Sequence, residues 1–257
     1  MEGSRFLSIT GAFPVLIGSQ PTSSARLSKA EFFRLALERP PAVAVFDCDG
    51  TLWSGDAGYG FMVWTLEQGL VSPQAREWLD ARYRLYGISE VSEAEMCGDM
   101  VKVYAGLYEE EIRTAAAEYF RENIHVHVFH EMRELIARLR GTGSDIWAVS
   151  STNNWVIEEG VREFGIQPER ILAARVAIRE AIITDEILDV PTDEGKAEAL
   201  RRVGISEPDV VFGNSIHDAA MLEIARRAFP VNPSPGLLEF AAQHGWAVYY
   251  PESLTEA

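Results

Sequence analysis

Cysteine is scarce in this chain of 257 residues: there are two, Cys48 and Cys97. Their spacing suits no metal and supports no disulfide, so they read as free thiols in a reducing compartment. Long apolar runs are missing too. No stretch approaches the roughly 18 to 20 residues that a membrane-spanning helix needs. Residues Phe6 to Ile17 are fairly apolar, but Gly11 and Pro14 interrupt them, Glu2 weakens a basic start and no A-x-A site follows. That pattern argues against a leader and for a cytoplasmic protein. Positive charge is in short supply: 23 Lys and Arg face 39 Asp and Glu, a formal net charge of −16. Such a surface repels nucleic acid and anionic membranes, so neither is an expected partner. It also repels phosphorylated molecules at long range. Any anion site has to be built locally, from a metal, a lysine or backbone N–H groups. Internal repeats and low-complexity runs are absent.

The apolar fraction is 47%, ample for a core. The stretch AVAVFDCDGTLW, Ala42 to Trp53, holds the strongest signal. Val43–Phe46 is a short β-branched run that stops at a Gly-containing turn, and it reads as a buried strand. Asp47 and Asp49 then lie at its carboxyl end, where open α/β sheets bind ligands. Two carboxylates side by side in a buried place need a cation or a proton between them. A hard cation such as Mg²⁺ prefers oxygen ligands of this kind.

Residues 1–26 are rich in Gly, Ser, Pro and Thr and read as an irregular arm. Ser28-Lys29-Ala30-Glu31 is a capping box opening a helix to about Glu38. Residues 56–130 show apolar residues at helical spacing, with Ser72-Pro73 and Ser89 as helix starts, and predict an all-helical cap inserted after the first strand. An α/β rhythm follows. It comprises a helix 131–140, a strand 146–149, a helix 155–164, a hairpin of 172–177 with 181–188, a helix 194–203, a strand 210–212 and a helix 218–227. Short strands at 228–231 and 246–249 end the chain. The expectation is a Rossmann-like, mostly parallel sheet with helices on both faces, built from residues 27–55 and 131–257.

Three further positions fall at the ends of these later elements. Ser150, followed by Ser151, ends the strand 146–149; taken alone, such a serine is a turn or helix cap. Lys196 follows Gly195 at a helix start, where a lysine is ordinarily only solvated. Gly213-Asn214-Ser215-Ile216-His217-Asp218 follows the strand 210–212, and Asn214 and Asp218 supply oxygen ligands or, equally, turn and helix-start residues.

Acidic pair, hydroxyl, lysine and Gly-Asn-x-x-x-Asp occur in that order, each at a strand end or helix start. In this arrangement the chain resembles the haloacid dehalogenase superfamily from about Val43 to Tyr249, and most nearly its phosphoserine phosphatase-like branch, which carries a helical cap between its first two motifs. The resemblance implies a phosphatase for a small phosphorylated metabolite. Asp47 would be the nucleophile that becomes phosphorylated, and Asp49 the general acid and then base. Ser150, with Ser151 beside it, would hold phosphoryl oxygens, and Lys196 would offset negative charge at nucleophile and phosphate. Mg²⁺ would be held by Asp47, the Asp49 main-chain carbonyl, Asn214 and Asp218. Phosphoryl transfer to an alcohol on the same site is a rival reading, as is a phosphoester-binding pseudoenzyme.

The chain departs from the family pattern at Asn214, where an Asp is usual, which removes one negative charge from the metal site. Asp56 occupies the offset at which phosphoserine phosphatases carry a Glu that reads the substrate amine. Trp53, Tyr59, Phe61 and Trp64 lie around it in sequence and suit either an ammonium ligand or simply the cap core. The cap arginine that reads the serine carboxylate in that branch has no counterpart; Met100 falls there, with Lys102 nearby. Gly55, Gly58 and Gly60 are candidate hinges for the cap. The expected assembly is a monomer or homodimer.

Overall fold

The structure is a computed structural model that describes residues 24–255. Residues 1–23 of the expected arm lie outside them. The elements run α1 (Lys29–Leu37), β1 (Val43–Phe46), α2 (Ala57–Glu67), α3 (Pro73–Tyr86), α4 (Glu93–Lys102) and α5 (Glu109–Tyr119). A wide turn and a 3₁₀ turn over 120–127 lead into α6 (His130–Gly141), β2 (Asp145–Asn153), α7 (Asn154–Arg162), β3 (Ile171–Arg179) and β4 (Ile182–Asp189). The chain ends with α8 (Glu194–Arg202), β5 (Val210–Gly213), α9 (Ala219–Glu223), β6 (Ala228–Pro230) and α10 (Pro235–His244).

The six strands form one sheet in the order β4-β3-β2-β1-β5-β6, parallel throughout except for the β3–β4 hairpin. β1 therefore lies between β2 and β5, with the chain winding outward to either side, and the carboxyl end of β1 is the switch point where such sheets open a crevice. Pairing aligns Phe46 with Ala148 on one side and Phe212 on the other. The next residue of each strand, or nearly so, reaches the crevice: Asp47, Ser150 and Asn214.

Alternation along β1 divides the core. Ala44 and Phe46 face α1 and the cap side, while Val45 joins Trp147, Val149, Val211, Leu200 and Met221 on the other face. The capping box of Ser28 and Glu31 starts α1 as the sequence predicts. Its Phe32 ring stacks on Tyr249 at 4.1 Å and meets Phe212 and Phe229 edge-on. Arg227 closes the end of α1 by donating to the carbonyls of Leu35 and Glu38. The cap helices α2 to α5 bury their own ring cluster of Phe61, Trp64, Tyr104 and Tyr119.

Several expectations shift. Ser89 does not start a helix: it sits at φ +60° in a turn, and Ser92 with Glu95 forms the capping box of α4 instead. β2 runs on through the Ser150–Asn153 segment, because Asn153 still pairs with Ala174 across a register irregularity. The helix expected at 218–227 shrinks to a 3₁₀ turn and the five residues of α9, since Arg226 N–H already bonds to Pro208 on the way back to the sheet. Residues 246–249 contribute isolated bridges, Val248 to Arg26 and Tyr249 to Val231, rather than a strand. α10 is unforeseen, although Pro235 at its first turn and Gly245 at φ +68° after its end are ordinary start and stop signals. Gly58 and Gly60 are close-contact positions rather than hinges: a Cβ on them would lie 2.4 Å from the Thr152 hydroxyl and 1.9 Å from that of Tyr119. Among the described residues no helix is long and apolar enough to cross a membrane.

The chain's end is tied down by one buried acid. Glu131 on α6 accepts from the backbone N–H groups of Glu252 and Ser253 and from the Ser253 hydroxyl, at 2.6, 3.1 and 2.6 Å. Burial alone would raise its pKa, but these donors outweigh burial and hold it below the ordinary carboxylate value. A depressed pKa contributes stability that is present above the unfolded-state pKa and lost as pH falls through the folded-state value. Glu131→Gln should therefore cost about 1–3 kcal/mol at neutral pH. The Tm difference from wild type should close as pH drops into the carboxylate range, measured by thermal unfolding at stepped pH.

Candidate active site

The site is assembled by the strand ends. Asp47 N–H bonds to the Phe212 carbonyl at 2.9 Å, which extends the β1–β5 pairing by one step and fixes where the Asp47 side chain leaves the sheet. Its Oδ2 accepts from the Thr51 hydroxyl at 2.8 Å and its Oδ1 from Lys196 Nζ at 2.7 Å. Lys196 lies in the first turn of α8 and is 2% exposed, so the solvated-lysine alternative does not hold. Its ammonium also donates to Asp218 Oδ1 at 2.5 Å and reaches the Val149 carbonyl at 3.5 Å. Burial pushes the Lys196 pKa down, and the charges of Asp218 and Asp47 more than reverse this, so it is raised and stays protonated.

Asp218 is wholly buried, and both of its oxygens have partners: Oδ1 takes Lys196, and Oδ2 takes the backbone N–H groups of Asn214 and Ser215 at 2.8 Å each. It holds the lysine and shapes the turn, which is a different task from the open metal ligand expected from the sequence. Burial, then repulsion from Asp218, raises Asp47 to about 6 despite Lys196. Asp49 is raised to about 7 by burial and by the nearby charge of Asp56. Three donors work against that rise and fix the carboxylate: the Thr152 hydroxyl at 2.7 Å, Ala57 N–H at 2.7 Å and the Trp53 indole N–H at 2.7 Å. Trp53 is thus a buried partner of Asp49 rather than a wall around Asp56.

Ser150 is buried, and its oxygen accepts from Thr152 N–H, leaving its own proton to donate. Asp47, Asp49, Ser150, Ser151, Lys196, Asn214 and Asp56 all line one cavity of about 300 Å³; Asp218 sits just behind it. Cap residues form the opposite wall: Tyr59, Tyr83, Tyr86, Glu93, Met96, Cys97 and Met100. Phe61 and Trp64 belong to the cap core, as one of the two readings of the sequence has it. Nothing in the sequence marks Tyr83, Tyr86 and Glu93 as site residues. Their signal is only that they lie one turn apart on α3 and at the start of α4, which nothing in sequence connects to Asp47. Asp56 caps α2 by accepting from Tyr59 N–H at 2.8 Å while still facing the cavity.

No group of three or more His, Cys, Asp and Glu side chains able to hold a metal occurs among the described residues. The donors available for a cation are the Asp47 carboxylate and the Asn214 amide, with nearby main-chain carbonyls. Asn214 packs directly over the motif, since a Cβ on Gly50 would lie 1.9 Å from its side-chain nitrogen, and Gly50 itself stands at φ +76°. The amide oxygen and nitrogen are interchangeable by a flip. Such an all-oxygen, low-charge set fits Mg²⁺, which keeps several waters and relies on one or two carboxylates plus substrate phosphate.

Residues 44–223 match the family model described as haloacid dehalogenase-like hydrolase. A probable phosphatase of Mycobacterium tuberculosis is 27% identical over 218 residues, covering 82% of this chain and 75% of that one. A Bordetella pertussis protein of unknown function superposes with a TM-score of 0.72 at 24% identity, over 80% of this chain and 97% of its own. A substrate-bound phosphoserine phosphatase shares the fold with a TM-score of 0.57 at 16% identity, over 85% and 97% of the two chains.

The buried triad has a consequence independent of turnover. Lys196→Met leaves Asp47 and Asp218 facing each other with no cation, which should destabilise the fold by about 3–5 kcal/mol. Protonation of Asp47, whose pKa burial already raises to about 6, then relieves the repulsion, so the deficit should shrink as pH is lowered from 8 to 5. Thermal unfolding across that range measures it, and a pH-independent deficit would contradict the charge argument.

Proposed function

The chain belongs to the haloacid dehalogenase-like hydrolases, and from that premise we propose that it is a Mg²⁺-dependent phosphomonoesterase acting on a small soluble metabolite through an aspartyl-phosphate on Asp47. The observation that carries this reading is the cavity floor. There a buried carboxylate, a fixed second carboxylate with a pKa near neutrality and a serine hydroxyl meet around a single buried lysine.

Asp47 attacks phosphorus. Lys196 keeps the attacking carboxylate ionised and in place, because its donors are all engaged inside the protein. Ser150 donates to a phosphoryl oxygen, and Ser151 lies beside it on the cavity wall. Asp49 gives its proton to the leaving oxygen and then takes one from the water that hydrolyses the phosphorylated Asp47. A pKa of about 7 suits both transfers at neutral pH. Asp47, the Asp49 main-chain carbonyl and Asn214 would hold Mg²⁺, which supplies positive charge at the phosphoryl oxygens. Asp218 acts through Lys196 and the 214–215 backbone rather than as a direct ligand.

Two variants test the assignment on a generic aryl phosphate. Asp47→Asn should lower kcat by at least about a thousandfold, the scale expected when a nucleophile is lost. Wild-type turnover in that variant would defeat the mechanism. Asn214→Asp adds a charged oxygen to the metal site and should lower the half-saturating Mg²⁺ concentration several-fold. An unchanged Mg²⁺ titration would remove Asn214 from the ligand set. If the wild-type protein with excess Mg²⁺ binds phosphoesters but hydrolyses none, the weakened Asn214 site describes a pseudoenzyme instead.

A further inference from the structure

The two ends of the cavity have opposite characters. At the floor, the Ser150 hydroxyl is free to donate to an anion, beside the buried positive charge of Lys196. Toward the cap, the wall is aromatic and acidic. Tyr59 on α2 and Tyr83 and Tyr86 on α3 form a row of rings with centroids 5.4 and 6.0 Å apart. Glu93 stands at the end of that row. Its carboxylate accepts from the Tyr86 hydroxyl and from Cys97 Sγ, both neutral donors. His217 approaches to 3.9 Å, but its other ring nitrogen is held by Asp193 at 2.7 Å.

The acids at this end repel one another. Burial, and then the charge of Asp56, raises the pKa of Asp49; burial raises that of Asp56 in turn, with a smaller push from Glu93. Nothing basic on the cap relieves them. Met100, an uncharged side chain, lines the cavity on the cap side. Lys102 points instead to Asp99 and Trp78, and Arg82 pairs with Asp99 and Glu95. A first-turn acid on a helix is ordinarily just favourable to the helix dipole. Glu93 differs in being oriented along the cavity wall by Tyr86 and Cys97 instead of projecting into solvent.

Resting on the phosphomonoesterase reading above, we infer that the cap end selects phosphate monoesters whose far end is an alkylammonium, primary or methylated. Glu93 and Asp56 supply the countercharge, and Tyr59, Tyr83 and Tyr86 the ring wall. Aromatic rings beside a carboxylate suit an organic cation, because the ring faces attract positive charge while accepting its methyl or methylene groups. An ester carrying a second anion meets two carboxylates and no cation there. The spacer between the ends is short. Cys97, whose Sγ lies 3.5 Å from Glu93, lines the same cavity as Ser151, the neighbour of Ser150. The cavity volume of about 300 Å³ also suits a small substrate.

The test is a kcat/KM comparison on the full chain with Mg²⁺, using phosphoethanolamine, phosphocholine, glycerol 1-phosphate, 3-phosphoglycerate and p-nitrophenyl phosphate. The expected result is at least a tenfold preference for one or both ammonium esters over glycerol 1-phosphate, with 3-phosphoglycerate poorest. Glu93→Gln should cut the ratio of ammonium ester to glycerol 1-phosphate by tenfold or more, and Glu93→Asp should restore part of it. That rescue distinguishes charge recognition from a loosened cap. Hydrolysis of p-nitrophenyl phosphate with no ammonium preference, or a preference untouched by Glu93→Gln, overturns the inference while leaving the phosphatase reading intact. If no ester is hydrolysed, the phosphatase reading falls, and the inference is decided by binding. Phosphocholine and phosphoethanolamine should then shift the wild-type Tm more than glycerol 1-phosphate does, and the Glu93→Gln protein should lose that difference. Equal shifts for all three esters overturn it.

Discussion

The interaction on which this molecule depends is the buried contact of one ammonium with two carboxylates. Asp47, Lys196 and Asp218 are 4%, 2% and 0% exposed. Each charge alone would be costly in such a place, and removing one strands the others. The three residues come from the end of β1, the start of α8 and the turn after β5. Their meeting requires the parallel order β2-β1-β5 and the helix that returns between β4 and β5. Asp218 extends the constraint by binding the N–H groups of Asn214 and Ser215, so the same charge network sets the turn that presents Asn214. Asp47, Lys196, Asp218 and the 214–215 turn are therefore one electrostatic unit.

The cap is coupled to that unit through Asp49. Two of its three donors, Trp53 and Ala57, belong to the segment that leaves the core and begins α2, while the third, Thr152, belongs to β2. Gly58 lets α2 lie close against Thr152. Trp53 in turn packs edge-on against Phe120, and a Cβ on Gly160 would lie 2.7 Å from both rings. Asp49 is thus positioned by the base of the cap, so movement of α2 relative to β2 alters Asp49 before it alters Asp47. Gly55, at φ +90° with open space around it, is the place in this segment where the backbone is least constrained.

What the sequence made legible follows from where chemistry is written locally. The strand Val43–Phe46 is legible as one apolar run, and the motif after it, the Ser28–Glu31 box and the 213–218 turn hold in the structure because their partners lie within a few residues. Ser150 and Lys196 were weak alone and persuasive only in order, since their meaning comes from strand ends brought together by pairing. The sequence could not show that both Asp218 oxygens are occupied, because two of its partners are backbone groups and the third is Lys196, 22 residues away. Nor could it place Tyr83, Tyr86 and Glu93 opposite Asp47, because packing of the cap over the sheet carries no local pattern. The strand expected at 246–249 failed for a related reason. Trp246, Val248 and Tyr249 are aromatic or β-branched, yet Tyr249 is held by stacking on Phe32, and it and Val248 pair at single points only.

Asn214 changes the electrostatics of the site in two opposed ways. An aspartate there would face Asp47 and Asp218 with only Lys196 to balance three negative charges. With asparagine, the buried set of Asp47, Asp218 and Lys196 carries one formal negative charge. A cation is attracted less strongly, and a phosphate dianion is repelled less before any cation arrives. In a chain of net charge −16 the second effect is not negligible, because the field opposing an incoming dianion is already set by the whole surface. A molecule with a positive far end meets that field on better terms still, since Asp56 and Glu93 place negative charge on the cap side of the cavity. On the proposed reading, the charge missing at Asn214 and the acids gathered at the cap side favour the same kind of molecule: one that is anionic at one end and cationic at the other.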